Sequence, residues 1–264
     1  MSSLPFQLER TVVIRATPEL VFRFFTENEY WARWLGAGST IEPRPGGQVL
    51  IRFPGGNEAS GEVLEIHAPE RIVFTYGYVS GQLIPPGGSR VTIRLEPVPD
   101  GTRVHLTHDV ADEVARDEHV QGWRFEMALF SVAVADVVNS GAAAVVDSWF
   151  TAWSAADAAT SERMLAEVAA PAVTFRDRFS NLAGIADVLP HLAASRTFMP
   201  GISLKRTGEV RHCQGIALAD WVAVAADGAE RSRGTNVFVF GPTGKIESVT
   251  GLWASHPGAV AQKV

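Results

Sequence analysis

The sequence predicts an α+β protein of two domains, in which a curved antiparallel sheet grips a long helix and is followed by an α+β cone with a curved antiparallel sheet of its own. Three observations predict it. Between residues 117 and 138, Trp123, Met127, Phe130, Val134 and Val138 recur every three or four positions and so share one helical face. Asn139-Ser140-Gly141 then interrupts the pattern with residue types that stop one helix and cap the next, before Val145 or Val146, Trp149 and Trp153 resume it. Upstream of the first helix, and again near the end of the chain, the periodicity changes to two and turn residues cut the sequence into strands. The break reads as a boundary between domains of residues 1–138 and 141–264, and 264 residues suit two domains of about 130 each.

Composition limits the function classes. The chain is 46% hydrophobic and 20% charged, as in ordinary globular proteins. It has no apolar run of about 18 residues or more, and Met1-Ser2-Ser3-Leu4-Pro5 lacks the basic and apolar regions of a signal peptide, so a cytoplasmic protein is expected. Cys213 is the single cysteine, which excludes an internal disulfide and a cysteine-based zinc site. Residues 1–138 hold 18 acidic and 12 basic side chains, whereas residues 139–264 hold 11 of each. No basic stripe appears, which argues against nucleic acid or an anionic membrane as partner.

In the first domain, Phe6, Leu8, Val12 and Ile14 keep one parity and predict a strand with one buried face. Thr17-Pro18-Glu19 supplies an N-cap, a first-turn proline and a first-turn acid, and the short helix that follows should bury Leu20, Val21, Phe24 and Phe25. A second short helix carries Tyr30, Trp31, Trp34 and Leu35. Six strands are then expected near 39–45, 47–53, 58–67, 71–79, 89–97 and 102–110, and helix 117–138 is the available cover for their apolar face. The linker Ser80 to Ser89 reads either as a rim over the cavity mouth or as a surface loop.

Val13-Ile14-Arg15-Ala16-Thr17-Pro18-Glu19-Leu20-Val21-Phe22, Trp31-Ala32-Arg33-Trp34, Pro45-Gly46-Gly47, Pro69-Glu70-Arg71-Ile72, Gly101-Thr102-Arg103-Val104 and Gly122-Trp123 together resemble the SRPBCC (START-like, helix-grip) superfamily, in its branch of activator homologues of the heat-shock-protein ninety ATPase. The resemblance covers this half of the chain. It implies a fold that binds or transforms hydrophobic small molecules between sheet and helix. In the last strand, His108 shares the inward face with Val104, Leu106 and Val110. It is either a buried histidine satisfied by a neighbouring backbone group or Tyr hydroxyl, or a ligand contact and proton carrier. Tyr76 and Tyr78 carry the same two readings.

The second domain should contain helices 141–156, about 160–169 and about 184–198, a short strand at 173–177, and four strands near 202–212, 215–226, 231–240 and 245–254. Three helices and a curved sheet enclose an interior pocket. This order, with Val145-Val146-Asp147-Ser148-Trp149-Phe150, Phe175-Arg176-Asp177 and Phe238-Val239-Phe240-Gly241-Pro242-Thr243-Gly244-Lys245-Ile246, resembles the SnoaL-like, ketosteroid-isomerase-like cone fold. The resemblance places Asp177 where such isomerases carry a general-base aspartate, Asn236 where they carry a protonated aspartate that donates to an oxyanion, and Trp149 where they carry a donor tyrosine. Parity sets Asp177 inward with Val173 and Phe175, and Asn236 inward with Phe238 and Phe240. Indole cannot titrate and is bulkier than phenol, so steroid isomerisation as such is not implied. The competing readings are an Asp177 paired with Arg176 or Arg178, an Asn236 satisfying the backbone, and a Trp149 and Trp153 that are core.

No phosphate loop, dinucleotide fingerprint, nucleophile elbow or metal-ligand cluster occurs. The expectation is a protein without cofactor or metal that binds, and in an enzymatic reading converts, a small hydrophobic carbonyl compound. Asp177, Asn236 and Trp149 are the catalytic candidates; His108, Tyr76, Tyr78, Trp123, Trp153, Phe175 and Phe238 are the ligand contacts. The alternatives are a non-catalytic binding or dimerisation protein and an ATPase activator. The cone fold also carries an expectation of a homodimer.

Overall fold

A computed structural model describes residues 3–254. The chain divides into two compact units, Met1–Val137 and Val138–Val264, of which residues 1–2 and 255–264 lie outside the described residues. The N-terminal pair Met1-Ser2 and the last ten residues of the expected second domain are therefore not placed. Each unit is an α+β body.

The first unit runs β1 (Phe6–Ile14), α1 (Pro18–Arg23), α2 (Asn28–Leu35), β2 (Thr40–Ile41), β3 (Gln48–Arg52), β4 (Glu58–His67), β5 (Arg71–Tyr78), β6 (Ser89–Val98), β7 (Gly101–Val110) and α3 (Glu113–Val138). The strands form one antiparallel sheet in the order β1-β7-β6-β5-β4-β3-β2. The Thr17 hydroxyl accepts from the Leu20 N–H at 3.4 Å and starts α1. The Asp112 carboxylate caps Ala115 N–H at 2.9 Å, which starts α3 at Glu113 rather than at 117. The expected strand 39–45 shrinks to two residues because Pro43 and Pro45 bring no N–H to a ladder. Along α3, Ala115, His119, Trp123, Met127, Phe130 and Val134 are buried. Phe130 is the packing centre, with ring centroids 4.9 Å from Phe25, 5.2 Å from Trp34 and 5.8 Å from Phe24. Leu20 is half-buried rather than core. The linker 80–88 folds back on the unit: Tyr78 N–H donates to Ile84 C=O at 2.8 Å, and Ile84 packs on Val110 and Ala115.

The second unit runs α4 (Ala142–Ser154), α5 (Ala158–Val168), β8 (Ala169–Arg176), β9 (Asn181–Ala183), α6 (Ile185–Phe198), β10 (Ser203–Cys213), β11 (Ile216–Val224), β12 (Glu230–Phe240) and β13 (Ile246–Trp253). Its sheet order is β10-β11-β12-β13-β8-β9. The sheet is mixed, not antiparallel throughout, because β8 lies parallel to β13. The N-cap of α4 is Gly141, without a side-chain bond, so the expected polar cap is replaced by Ala142 N–H donating to Asn139 C=O at 2.9 Å. Asp157, expected to end the first helix of this unit, instead caps the second through Thr160 N–H at 2.8 Å. One face of the sheet packs on the helices. Ala217, Ala219 and Trp221 of β11 with Phe238 and Phe240 of β12 meet Val146, Trp149, Phe150, Leu165, Val188 and Leu192 in one core. The alanines leave depth for the large helix side chains opposite. Among the described residues no single helix is long and apolar enough to cross a membrane.

Candidate functional site

In the second unit, β8 ends at Arg176 and the chain turns, with Asp177 N–H bonded to Ser180 C=O at 2.9 Å. The turn sets Asp177 half-buried at the lip of the cone. Its Oδ1 accepts from Phe179 N–H at 2.8 Å and its Oδ2 from Trp253 Nε1–H at 3.2 Å. Asp177 pairs with neither Arg176 nor Arg178 among the described residues; Arg178 instead lies over the Phe179 ring at 4.9 Å.

Asn236 sits on β12, buried, opposite Gly251 of β13. Trp221 Nε1 lies 2.9 Å from Asn236 Oδ1. Indole nitrogen only donates, so the atom it meets must be the amide oxygen, and the amide NH₂ of Asn236 is left as a donor. Gly251 joins the two halves. A Cβ built there would meet Asp177 Cβ at 3.1 Å and Asn236 Oδ1 at 3.3 Å. The structure therefore brings Asp177 and Asn236 to either side of one glycine. Trp221 and Trp253, the indoles bonded to them, meet edge to face at 5.1 Å.

Trp149 does not join this pair. Its ring packs against Trp153 at 5.9 Å and Phe175 and Phe238 at 6.2 Å each, and no hydrogen bond links it to Asp177 or Asn236. The indole donors at the pair are Trp221 and Trp253, which sequence reasoning missed. Their parity held the signal, since Trp221 shares a face with Ala219 and Ala223, and Trp253 with Gly251 and Val249. The Trp153 ring lies tilted 4.7 Å from Phe175 and edge to face 5.8 Å from His191, with its Nε1 buried and unpartnered among the described residues. His191 of α6 is half-buried and reaches Ser180 Oγ at 3.2 Å. The exposed Cys213 and its neighbour His212, whose Nε2 accepts from Gly215 N–H at 3.0 Å, take no part.

The first unit carries a second polar cluster on the inner face of its sheet. Trp123 Nε1–H donates to His108 Nδ1 at 3.0 Å, and His108 Nε2 lies 2.7 Å from Ser89 Oγ, which donates onward to Tyr76 C=O at 2.8 Å. The indole must donate, so Nδ1 carries no proton and Nε2–H donates to Ser89. His108 is thus fully buried, neutral and satisfied by an indole and a serine, not by a backbone group or a tyrosine. Burial, with His119 beside it, pushes its pKa down to about 3. His119, missed from sequence, bonds through Nδ1 to Ala115 C=O at 2.7 Å and faces Tyr78 OH at 3.4 Å; burial lowers its pKa too. The Tyr76 ring lies 5.3 Å from His108, 5.7 Å from Tyr78 and 5.8 Å from His119. Burial first, then Tyr78 and the Glu126 carboxylate, hold its phenol protonated. Glu126, also missed, lies three residues beyond Trp123 on α3. Burial pushes its pKa up to about 7, and its Oε2 is buried with no partner among the described residues.

The family model described as activator of Hsp90 ATPase homolog 1-like protein matches residues 15–133, inside the first unit, and supports reading that unit as Aha1-like. Among solved structures, a SnoaL-like family protein from Agrobacterium tumefaciens is 19% identical, covers 42% of this chain and 96% of its own, and superposes with a TM-score of 0.41. The Aha1 dimer from Colwellia psychrerythraea is 19% identical over 47% of this chain and 91% of its own, with a TM-score of 0.41. A protein from Rhodobacter sphaeroides is 26% identical over 53% and 95%, with a TM-score of 0.42. A search of curated proteins gives no match.

Proposed function

We propose that the second unit binds a small hydrophobic carbonyl compound and moves a proton on it, by isomerisation, dehydration or cyclisation, with Asp177 as base and Asn236 as oxyanion donor. The observation that carries this reading is the apposition of the two side chains across Gly251, each oriented by an indole N–H. Each oxygen of Asp177 accepts one hydrogen bond, which leaves lone pairs to take a proton from the carbon next to the substrate carbonyl. The C–H electron pair becomes the C=C bond of an enolate and the carbonyl oxygen gains the charge. The Asn236 NH₂, left as a donor by the Trp221 bond to Oδ1, donates to that oxygen. Return of the proton at a different carbon completes an isomerisation; attack of the enolate carbon on a second carbonyl completes a cyclisation. Trp149, Trp153, Phe175 and Phe238 supply the apolar wall that selects a hydrophobic body.

The Aha1-like first unit is read as a small-molecule-holding body rather than an ATPase activator, because the inner face of its grip carries Tyr76, Tyr78 and His119 in one cluster. Native mass spectrometry of the protein purified from its own host, beside Asp177→Asn, tests the proposal. An apolar carbonyl compound held unchanged by Asp177→Asn and turned over by the unmodified chain is the expected result. The same unaltered compound in both would make the second unit a binding module.

A further inference from the structure

We infer that His191 is a positioning residue for Asp177, holding from α6 the far end of the turn that carries the base, an assignment that rests on the reading of Asp177 as proton acceptor.

The turn needs an anchor. Residues Asp177 to Ser180 join β8 to β9, a three-residue strand at the edge of the sheet that pairs Asn181 with Arg176, Leu182 with Phe175 and Ala183 with Thr174. So short a ladder holds an edge strand weakly. Inside the turn, Asp177 N–H donates to Ser180 C=O at 2.9 Å and Phe179 N–H donates to Asp177 Oδ1 at 2.8 Å. Those bonds set the shape of the turn but not its place against the cone. Its tip adds little, since Arg178 is exposed and Phe179 is 70% exposed, meeting Trp253 edge to face at 5.3 Å.

The anchor comes from α6. Asp187, in the first turn of that helix, accepts from Ala183 N–H at 3.1 Å. His191 follows four residues later, on the same helical face, and brings Nε2 to 3.2 Å from Ser180 Oγ. One face of α6 therefore grips both ends of the β9 segment. The imidazole is fixed in its turn, half-buried with its ring 5.8 Å from Trp153 and 6.4 Å from Phe175, the residue two before Asp177. A hydroxyl both donates and accepts, so Ser180 can meet either tautomer of His191. No hydrogen bond links His191 to the Asp177 carboxylate or to Asn236 among the described residues, so its effect on the reaction passes through Ser180. Trp253 holds Asp177 Oδ2 from β13 while His191 holds the turn from α6, which fixes the base from two elements. Proton transfer is sensitive to displacements of about 1 Å, and loss of one neutral hydrogen bond frees the turn about 3–10-fold more often.

Solvent-deuterium exchange into 2-cyclohexenone, with backbone amide exchange of the turn followed in the same full-length proteins, tests this. His191→Phe keeps a ring against Trp153 and removes the bond to Ser180; Ser180→Ala removes the same bond from the other side. Each should lower kcat about 3–10-fold with KM within about twofold, and the double variant should fall no further than the slower single one. His191→Gln, whose amide can meet the hydroxyl, should restore the rate to within about twofold of the unmodified chain. The amides of Asp177 and Phe179 should exchange about 3–10-fold faster in His191→Phe and Ser180→Ala. Losses that multiply in the double variant, a His191→Gln as slow as His191→Phe, or turn amides that exchange at the parental rate would each overturn it. Asp177→Asn separates the two claims: a parental deuteration rate there refutes the base, while the turn amides still decide whether His191 holds the turn. Ser180→Ala removes only a hydroxyl and decides the matter even where a His191 variant does not fold.

Discussion

Removing the charge of Glu126 should stabilise the protein, and only above a definite pH. Burial raises the carboxyl from 4.5 to about 7. Its folded value lies above its unfolded one, so between those limits the folded chain keeps a proton that the unfolded chain has released. Stability therefore falls as pH rises through the window, and the full cost is present above about pH 7. At 1.36 kcal/mol per unit the shift corresponds to about 3 kcal/mol, which partial solvent access of the half-buried side chain reduces to about 1–2 kcal/mol. Glu126→Gln keeps the shape and removes the charge. It should match the unmodified chain at about pH 4 and exceed it by about 1–2 kcal/mol at about pH 8, or roughly 2–6 °C in the unfolding temperature of its unit. His108 and His119 contribute an opposite slope: both folded values lie below the unfolded one, so their contribution is lost as pH falls below about 6.5. That slope is common to both proteins and cancels in the difference. Calorimetric scans across the pH range make the measurement. A Glu126→Gln chain no more stable than its parent at about pH 8 would show that the carboxylate already has a partner, and would refute the reasoning.

Other perturbations follow from the same geometry. His108→Ala strips the acceptor from Trp123 Nε1 and a donor from Ser89 and opens a cavity, so urea unfolding should show a loss of about 3 kcal/mol; a loss under about 1 kcal/mol would contradict the buried network. Gly251→Ala places a Cβ 3.1 Å from Asp177 Cβ and 3.3 Å from Asn236 Oδ1 and should lower proton-transfer rates about 10–100-fold with the fold retained by circular dichroism, whereas an unchanged rate would separate the pair from the chemistry. Brief protease digestion should cut first near 139–141, where the two compact units meet in sequence; first cuts inside 60–110 would count against that division.

Much of the fold was legible because each element carries its own local signal. The buried stripe of α3 and the alternating strands β10 to β13 are periodicities, and Thr17-Pro18-Glu19 is a chemical start signal. What escaped is what depends on partners distant in sequence. The parallel pairing of β8 with β13 joins residues more than 70 positions apart, and nothing in Val173-Thr174-Phe175 announces it. The three-residue β9 exists only because the turn at Asp177 returns the chain to β8. At the candidate site, parity places Asp177 and Asn236 inward, but which indole meets which side chain is decided by the β12–β13 register and by the missing side chain at Gly251. Trp149 was assigned by position in the resemblance, while the structure packs it among rings. Glu126 escaped because a helical pattern read for apolar members skips the polar residue lodged beside them.

Proton transfer between Asp177 and a carbonyl compound can be read by solvent-deuterium exchange. Small cyclic ketones and enones are incubated in deuterated buffer with the unmodified chain, Asp177→Asn and Asn236→Leu, and deuterium entering next to the carbonyl is followed by NMR. Exchange should fall about 10²–10⁴-fold in Asp177→Asn and about 10²–10³-fold in Asn236→Leu, with both variants folded. Exchange at equal rates in Asp177→Asn and the unmodified chain would contradict it.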